Sequence, residues 1–471
     1  MGEMLGGSRT TATRSWISSH SIPLAMSFVL LAAGFVFSFV WGPIVHHSSV
    51  WSQSDDLWSS FRAAQLVSWG HFGLVYSATY FSNPGIPGLV CLPGLWIVLA
   101  PLAWLSDHFG GTQSIPFPLS HPSAWPGLLG LSLALSSCAV FGVDALARKM
   151  GFSQSRRVFT GFVAVIGAFE MTAKWGHPED AIAVGLVAYG LVAAHGGLLN
   201  RCAWLLGLAI CFQPLAGLAA IVLLGFARPL GTLQYAWRVA SAPIAIAIIP
   251  LVQDWKHASA AIFKQPTFPD AGWHTPWLRL VRESFVVTSI PHRREALMAL
   301  ANARCLGGQV LNSSRSSQCA GLKRTLAYQL SGRLMGVHIV SASTVRLGAL
   351  VASSCLASWL FLSRKPPSLE LLVWACSAAL LIRTLFEVVM FPYYVVPGLI
   401  LMATTVGAQS SRKKAVVSFS CLGVLFFYVW HHGLSGWWYS IDVCIVVLIC
   451  FVCYPRFIDS SDRLKRDELV H

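Results

Sequence analysis

A run without charged residues, from Ile22 to Val45, limits the fold of this chain more than any other feature. About 20 apolar residues in a row are enough for an α-helix to cross the hydrocarbon core of a bilayer. The run is longer than the apolar part of a signal peptide, so we expect it to stay in the protein as a span. Similar runs recur, and only 11% of the 471 residues are charged, whereas a soluble domain has roughly 25%. The sequence therefore predicts an all-α protein, a polytopic transmembrane helix bundle forming one membrane domain over residues 1–471.

Proline and glycine interrupt two of the twelve apolar runs. Run 83–106 contains four prolines, and Gln213-Pro214 divides run 203–227. Proline removes a helix hydrogen bond, and a broken helix at membrane depth must be covered by protein or line a water-filled cavity. We therefore predict about ten full crossings plus these two broken or re-entrant segments. The runs are 22–45, 83–106, 125–147, 158–175, 179–199, 203–227, 239–253, 335–362, 367–389, 392–409, 415–431 and 441–454.

Short clusters of basic residues between the runs set the expected orientation. Such clusters mark cytoplasmic loops, so we interpret the net charge of +14 as a topology signal and expect no nucleic-acid partner. This orientation places residues 46–124 and 254–334 outside a plasma membrane, the first as a loop with a re-entrant segment. The clusters are Arg148-Lys149, Arg156-Arg157, Arg228 with Arg238, Arg364-Lys365, Arg412-Lys413-Lys414 and the basic residues of the C-terminal tail.

Two adjacent acids, Asp55 and Asp56, follow the first run on the expected outer side. A carboxylate in this position suits a general base or a metal ligand. The alternative is a solvated turn after a helix, where aspartate is common.

A second polar group, Trp175, His177, Glu179 and Asp180, lies between two apolar runs. Pro178 suits the first turn of the next helix, and the two acids suit its N-terminal dipole. This structural role accounts for the acids but not for Trp175 and His177, which suit stacking and hydrogen bonding to a sugar.

The third group is Arg383, Glu387, Tyr393 and Tyr394. Arg383 and Glu387 are four residues apart and can pair on one helix face. Ionisable residues inside a span usually face a cavity, although a structural pair with two interfacial tyrosines is the alternative.

The long loop 254–334 is rich in arginine and lysine. Long loops are exempt from the charge rule for topology, so its basic residues suit either an anionic phosphate or lipid headgroups. The candidates are Arg282, Arg293 and Arg294, with His274 in an aromatic stretch of the same loop. Cys305 and Cys319 in this loop would form a disulfide or stay as free thiols, and the sequence favours neither.

These motifs resemble those of the multi-spanning C-type (GT-C) glycosyltransferases, particularly bacterial members that use a polyprenyl-phosphate sugar. The resemblance covers residues from about 50 to 400 and is carried by short motifs. The His-Pro-Glu-Asp and Gln-Pro pair also resembles actinobacterial membrane proteins of this type. The motifs are Asp55-Asp56, Gly176-His177-Pro178-Glu179-Asp180, the run from Leu205 to Gln213-Pro214, and Phe391-Pro392-Tyr393-Tyr394.

The resemblance implies a GT-C-like fold and an inverting sugar transfer to an envelope glycan or glycolipid. Asp55 or Asp56 would be the general base. The lipid phosphate would contact one of four arginines, namely Arg282, Arg293, Arg294 or Arg383. The acids are adjacent rather than spaced as Asp-x-Asp, so a divalent metal is possible but we expect none to be obligatory.

Two other functions fit the same residues. A transporter or flippase of an amphipathic lipid would also use broken helices and charges at membrane depth, although the chain has no detectable internal repeat. A structural subunit of an envelope-assembly complex is the third possibility.

Overall fold

The computed structural model describes residues 19–46, 54–76, 91–109, 125–227, 229–264, 281–282, 340–363, 367–387, 391–408, 412–430 and 436–455. Most of loop 254–334 lies outside these residues. His274, Arg293, Arg294, Cys305 and Cys319, which the sequence singled out, therefore lie outside the described part of the chain.

The described chain is almost entirely helical, which confirms the predicted all-α class. Shorter turns of 3₁₀-helix (Gly73–Tyr76, Arg383–Phe386, Pro392–Val395) and π-helix (Glu170–Lys174, Ala260–Lys264) extend or connect the α-helices, and β1 (Val281–Arg282) pairs in parallel with β2 (Val340–Ser341). The α-helices are α1 Ser21–His46, α2 Asp55–Ser68, α3 Gly94–His108, α4 Trp125–Lys149, α5 Gln154–Phe169, α6 Pro178–His195, α7 Leu199–Phe212, α8 Ala216–Leu224, α9 Pro229–Gln253, α10 Trp255–Ser259, α11 Ala342–Leu362, α12 Leu369–Ile382, α13 Val396–Gly407, α14 Arg412–Trp430 and α15 Gly436–Val452.

The described part of each of the twelve apolar runs contains one of these helices or consecutive helical segments. Five helices among the described residues are long and apolar enough to cross a membrane, namely α1, α4, α9, α11 and α12 with the turn that follows it. Three more, α7, α13 and α15, contain shorter apolar segments. The described residues therefore contain five candidate membrane-spanning helices, and the total of about ten crossings stays a prediction.

The two runs that were predicted to be broken do not form single long helices in the described structure. Helix α7 ends at Phe212, Gln213 is extended with φ −134° and ψ 107°, and α8 begins at Ala216. In the run 83–106, α3 begins only at Gly94 and has 15 residues. At 1.5 Å per residue that is roughly 22 Å, which is less than the hydrocarbon core of about 30 Å.

Helix α2 lies inside the first predicted outer segment and is amphipathic. Ser54 caps its N-terminus by accepting a hydrogen bond from the Asp56 backbone N–H. Leu57 and Phe61 are buried and pack with Trp96 of α3 in a small hydrophobic cluster. Burying one such side chain contributes about 1.5–3 kcal/mol, so this packing holds the first turn of α2, and with it Asp56, in a fixed place.

The main core surrounds α6, which is buried along most of its length. Gly185 of α6 packs directly on the Cys138 carbonyl of α4, and Gly142 of α4 packs on Gly185. Side chains at these two glycines would separate the helices. The close approach of α4 and α6 therefore fixes the position of the α6 N-terminus, where the second polar group lies.

Candidate functional site

The site is built on the turn between the π-helix and α6. Gly176 has φ +79°, and a Cβ there would lie 2.5 Å from the Leu57 backbone nitrogen of α2. Ser54 Oγ donates a hydrogen bond of 2.7 Å to the Trp175 carbonyl. Glycine is therefore needed at position 176 both for the left-handed backbone and for the contact with α2. This contact brings the first acidic motif to the second, 121 residues away along the chain.

His177 connects the two acidic motifs. Its Nδ1 lies 2.7 Å from Glu179 Oε1, and its Nε2 lies 3.3 Å from Asp56 Oδ2. The Asp56 side chain is 56% exposed, whereas the Glu179 side chain is 7% exposed. Glu179 Oε2 is buried and has no hydrogen-bond partner within the described structure. Asp55 is the first residue of α2, and its side chain lies outside the described part of the structure.

The electrostatic surroundings favour the protonated form of His177. Burial alone would lower the pKa of the imidazole, but the charge of Glu179 and the hydrogen bonds to Asp56 and Glu179 outweigh that effect. The pKa of His177 is therefore raised well above its ordinary value of 6.5. The two acids on either side of the ring therefore favour its imidazolium form.

Aromatic rings from the distant 391–394 segment cover the same turn. The Tyr393 ring stacks on the His177 ring at 4.4 Å between centroids, and Trp175 lies 5.5 Å from Tyr393. Phe391 lies 6.0 Å from Trp175. Tyr393 is buried and Trp175 is partly exposed, so Tyr393 mainly holds the histidine ring while Trp175 offers a ring edge beside it.

Asp180 faces a second polar group at the α7–α8 break. The Gln213 side-chain amide donates to Asp180 Oδ1 at 2.5 Å. Asp180, Gln213, Arg383 and Tyr394 line a cavity of about 20 Å³, close to the size of one water molecule. The Arg383 guanidinium lies 4.1 Å from the centre of the Tyr394 ring, which is a cation–π contact. The predicted second and third polar groups therefore meet around one small cavity.

Glu387 holds two arginines. Its Oε1 lies 2.8 Å from Arg383 Nε, as the four-residue spacing predicted, and its Oε2 lies 3.1 Å from Arg346 Nε. The Glu387 side chain is 1% exposed and the Arg346 side chain is 21% exposed. Two guanidinium groups therefore share one carboxylate, an arrangement that suits a nearby anion.

The arginine cluster opens into a larger pocket of about 360 Å³. Arg383 and Leu215 line both this pocket and the small cavity. Most of the other walls are apolar, including Leu218 of α8, Phe263 of the π-helix after α10 and Leu347 of α11. Leu347 and Phe263 are 53% and 65% exposed. The pocket therefore combines guanidinium groups with apolar walls, a combination that suits a lipid carrying an anionic headgroup.

Three site residues were not predicted from the sequence as functional residues. Arg346 lies within a predicted span and pairs across 41 residues, and Gln213 was considered as a helix break and as part of a family motif but not as a site residue. Glu170 is fully buried and accepts hydrogen bonds from Lys174 Nζ at 2.7 Å and from Trp175 Nε1 at 3.0 Å. A buried acid in an apolar run was the available sequence signal for Glu170. Arg346 and Gln213 pair with residues far away along the chain, and the sequence contains no signal for such pairs.

None of the candidate residues of the basic loop has a described side chain. Arg282 lies in β1, and its side chain is outside the described part of the structure, as are Arg293, Arg294 and His274. Among the described residues, no group of three or more histidine, cysteine, aspartate or glutamate side chains is arranged to hold a metal ion.

Comparison with known proteins finds no family model that matches the chain and no curated protein with significant similarity.

Proposed function

We propose that this protein is an integral membrane glycosyltransferase that moves a sugar from a polyprenyl-phosphate donor to an envelope glycan or glycolipid. The reaction would take place on the extracytoplasmic face of the plasma membrane, in a bundle of about ten spans with a GT-C-like fold. The observation that carries the proposal is a chain of contacts from the exposed carboxylate of Asp56 to an apolar pocket. Asp56 contacts His177, whose ring stacks on Tyr393. Tyr393 packs on Tyr394, which contacts Arg383 at the wall of the pocket.

The proposed reaction is a single displacement with inversion at the anomeric carbon. An acceptor hydroxyl oxygen attacks C1 of the donor sugar and forms the new glycosidic bond. The bond between C1 and the phosphate oxygen breaks, and its electron pair leaves with the polyprenyl phosphate. The acceptor proton passes to the Asp56 carboxylate, a base of the kind that contributes about 10²- to 10⁴-fold in rate.

The arginine cluster suits the leaving group. A lipid phosphate gains negative charge as it departs, and Arg346 and Arg383 present guanidinium groups that form strong hydrogen bonds to phosphate oxygens. The apolar walls around them suit the polyprenyl chain. With two arginines available to bear this charge, the proposal needs no obligatory metal ion.

The test uses purified protein with a panel of polyprenyl-phosphate hexoses and pentoses and a glycolipid acceptor. Asp56→Asn keeps the shape of the side chain and removes its proton affinity, so we expect a loss of about 10²- to 10⁴-fold in transfer with unchanged donor binding. Glu370→Gln is the matched control, because it also removes one negative charge but lies in the first turn of α12, at the other end of that helix from Arg383. Transfer by Asp56→Asn near the wild-type rate would contradict the assignment of the base. A wild type that transfers no sugar but moves lipid between leaflets would support a transporter instead.

A further inference from the structure

We infer that His177 is a positioning residue for the sugar transfer, which ties the Asp56 carboxylate in place and is itself anchored by Glu179. The inference rests on the proposed function and extends it, because it assigns His177 to the base rather than to the sugar. It also makes the position of the Asp56 carboxylate depend on whether the His177 ring is doubly protonated.

The geometry favours a doubly protonated ring when both acids are ionised. Both ring nitrogens of His177 lie at a carboxylate oxygen, Nδ1 at Glu179 and Nε2 at Asp56. Carboxylates only accept hydrogen bonds, and a neutral imidazole has one donor nitrogen and one acceptor nitrogen. With both acids ionised, the imidazolium therefore satisfies both contacts, whereas a neutral ring satisfies one of them. The stacked Tyr393 ring fixes the plane in which the two N–H groups point.

The charges around His177 come from three elements. Asp56 belongs to α2, Glu179 and Asp180 belong to α6, and the rings of Tyr393 and Tyr394 belong to the 3₁₀ turn at 392–395. Arg383 lies beyond Asp180 across the small cavity. Acidic groups dominate this environment, so the ring keeps its second proton to a higher pH than a free histidine does.

Loss of that proton releases Asp56 selectively. Glu179 is the closer and more buried carboxylate, so the remaining N–H of a neutral ring stays on Nδ1. The Nε2 lone pair then faces the Asp56 carboxylate, and two acceptors repel each other. Asp56 is mostly exposed and moves away. We therefore expect the transfer rate, but not donor binding, to fall as the pH rises through the pKa of His177.

The experiment compares pH–rate profiles of sugar transfer by the wild type, His177→Gln and His177→Phe, with one polyprenyl-phosphate sugar from the panel. Glutamine offers an N–H donor that does not titrate, so its variant should lose the alkaline decline of the wild type and show a kcat lower by roughly 10-fold. Phenylalanine keeps the ring stack without any N–H, so kcat should fall by roughly 100-fold with little change in the KM for the donor. His257→Gln is the control, because His257 also pairs with a carboxylate, that of Asp254 at 2.7 Å.

A thermal-unfolding cycle of Asp56→Asn, His177→Gln and the double variant tests the contact without any assay of transfer. Coupled partners give effects that do not add in the double variant. If the wild type transfers sugar and His177→Gln keeps the same alkaline decline, the inference is wrong and the proposed function stands. If the wild type transfers no sugar, the proposed function is wrong. Strictly additive effects in the cycle would overturn the contact between His177 and Asp56 in either case.

Discussion

At the scale of single residues, the arginine cluster gives a direct prediction about donor binding. Charge-assisted hydrogen bonds contribute roughly 1.5–3 kcal/mol, or about 10- to 100-fold in affinity. Arg346→Gln and Arg383→Gln should each weaken binding of a polyprenyl-phosphate sugar by this factor, measured by displacement of a labelled donor. Arg201→Gln removes an exposed arginine elsewhere and should leave binding unchanged. Equal, small effects at all three positions would indicate general attraction to acidic lipids rather than a phosphate site.

The raised pKa of His177 also predicts how stability depends on pH. Because the pKa is higher in the folded than in the unfolded protein, the stabilisation is complete below the ordinary value of 6.5 and is lost as the pH rises through the folded value. The unfolding temperature of the wild type should therefore exceed that of His177→Gln most clearly near pH 6. The difference should shrink toward alkaline pH in a thermal-unfolding series at constant salt. A difference that grows with pH would show that the folded protein holds a neutral histidine.

At the scale of elements, the contact between α2 and the turn at Gly176 predicts a sensitive position. Gly176→Ala places a methyl group against the Leu57 backbone and keeps a residue in the left-handed region. Such strain costs about 1–3 kcal/mol, so the unfolding temperature should fall and sugar transfer should fall with it. Gly231→Ala is the control, since nothing lies within 4 Å of a Cβ at that position in α9. If Gly176→Ala keeps the unfolding temperature and the transfer rate of the wild type, α2 does not pack against this turn.

The elements also show what the sequence can reveal. Apolar length predicted helices in the described part of all twelve runs, and Pro178 with two acids correctly predicted the start of α6. The same search missed α2, because an amphipathic helix with a polar face never forms an uncharged run. Asp55 and Asp56 were consequently expected in a loop, whereas they form the first turn of a capped helix.

Long-range pairs explain why the site itself was only partly predictable. The four-residue spacing predicted the pair of Arg383 and Glu387, although Arg383 begins a 3₁₀ turn and Glu387 is extended rather than helical. The contact of Glu387 with Arg346 joins residues 41 positions apart. The contact of Asp180 with Gln213 joins two helices across a break. Packing between helices decides such contacts, and the local pattern of a single sequence does not encode it.

At the scale of the whole molecule, the apolar residues lie on the outside as well as in the core. Phe28 of α1 is 72% exposed, Val252 of α9 is 81% exposed and Leu362 of α11 is 76% exposed. Helix α6, by contrast, is covered on nearly all sides. An exposed apolar surface around a packed interior with buried charges is the arrangement expected in lipid, where isolated polar groups are costly.

The two ends of α5 carry different chemistry, which leads to the prediction about sidedness. Arg157 at its start pairs with Asp144 beside the basic cluster, whereas the π-helix at its end leads into the turn at Gly176. Residues 154–174 form roughly 30 Å of helix, about the thickness of the hydrocarbon core. If this segment crosses the membrane, the basic cluster and the candidate site face opposite compartments.

Single cysteines in a cysteine-depleted protein test this arrangement in intact cells with a membrane-impermeant maleimide. Ser155→Cys and Ser363→Cys lie beside basic clusters on the predicted cytoplasmic side and should react only after the membrane is permeabilised. Ser435→Cys, between the last two runs, should react in intact cells. Ser54 is unsuitable for this purpose, because it caps α2 and bonds to Trp175.

Labelling of Ser155→Cys and Ser363→Cys alone would place the candidate site in the cytoplasm, where a sugar nucleotide is the more accessible donor. If only one of Ser155→Cys and Ser363→Cys reacted in intact cells, the number of crossings between these two positions would have to be odd. The assignment of the broken segments would then have to change.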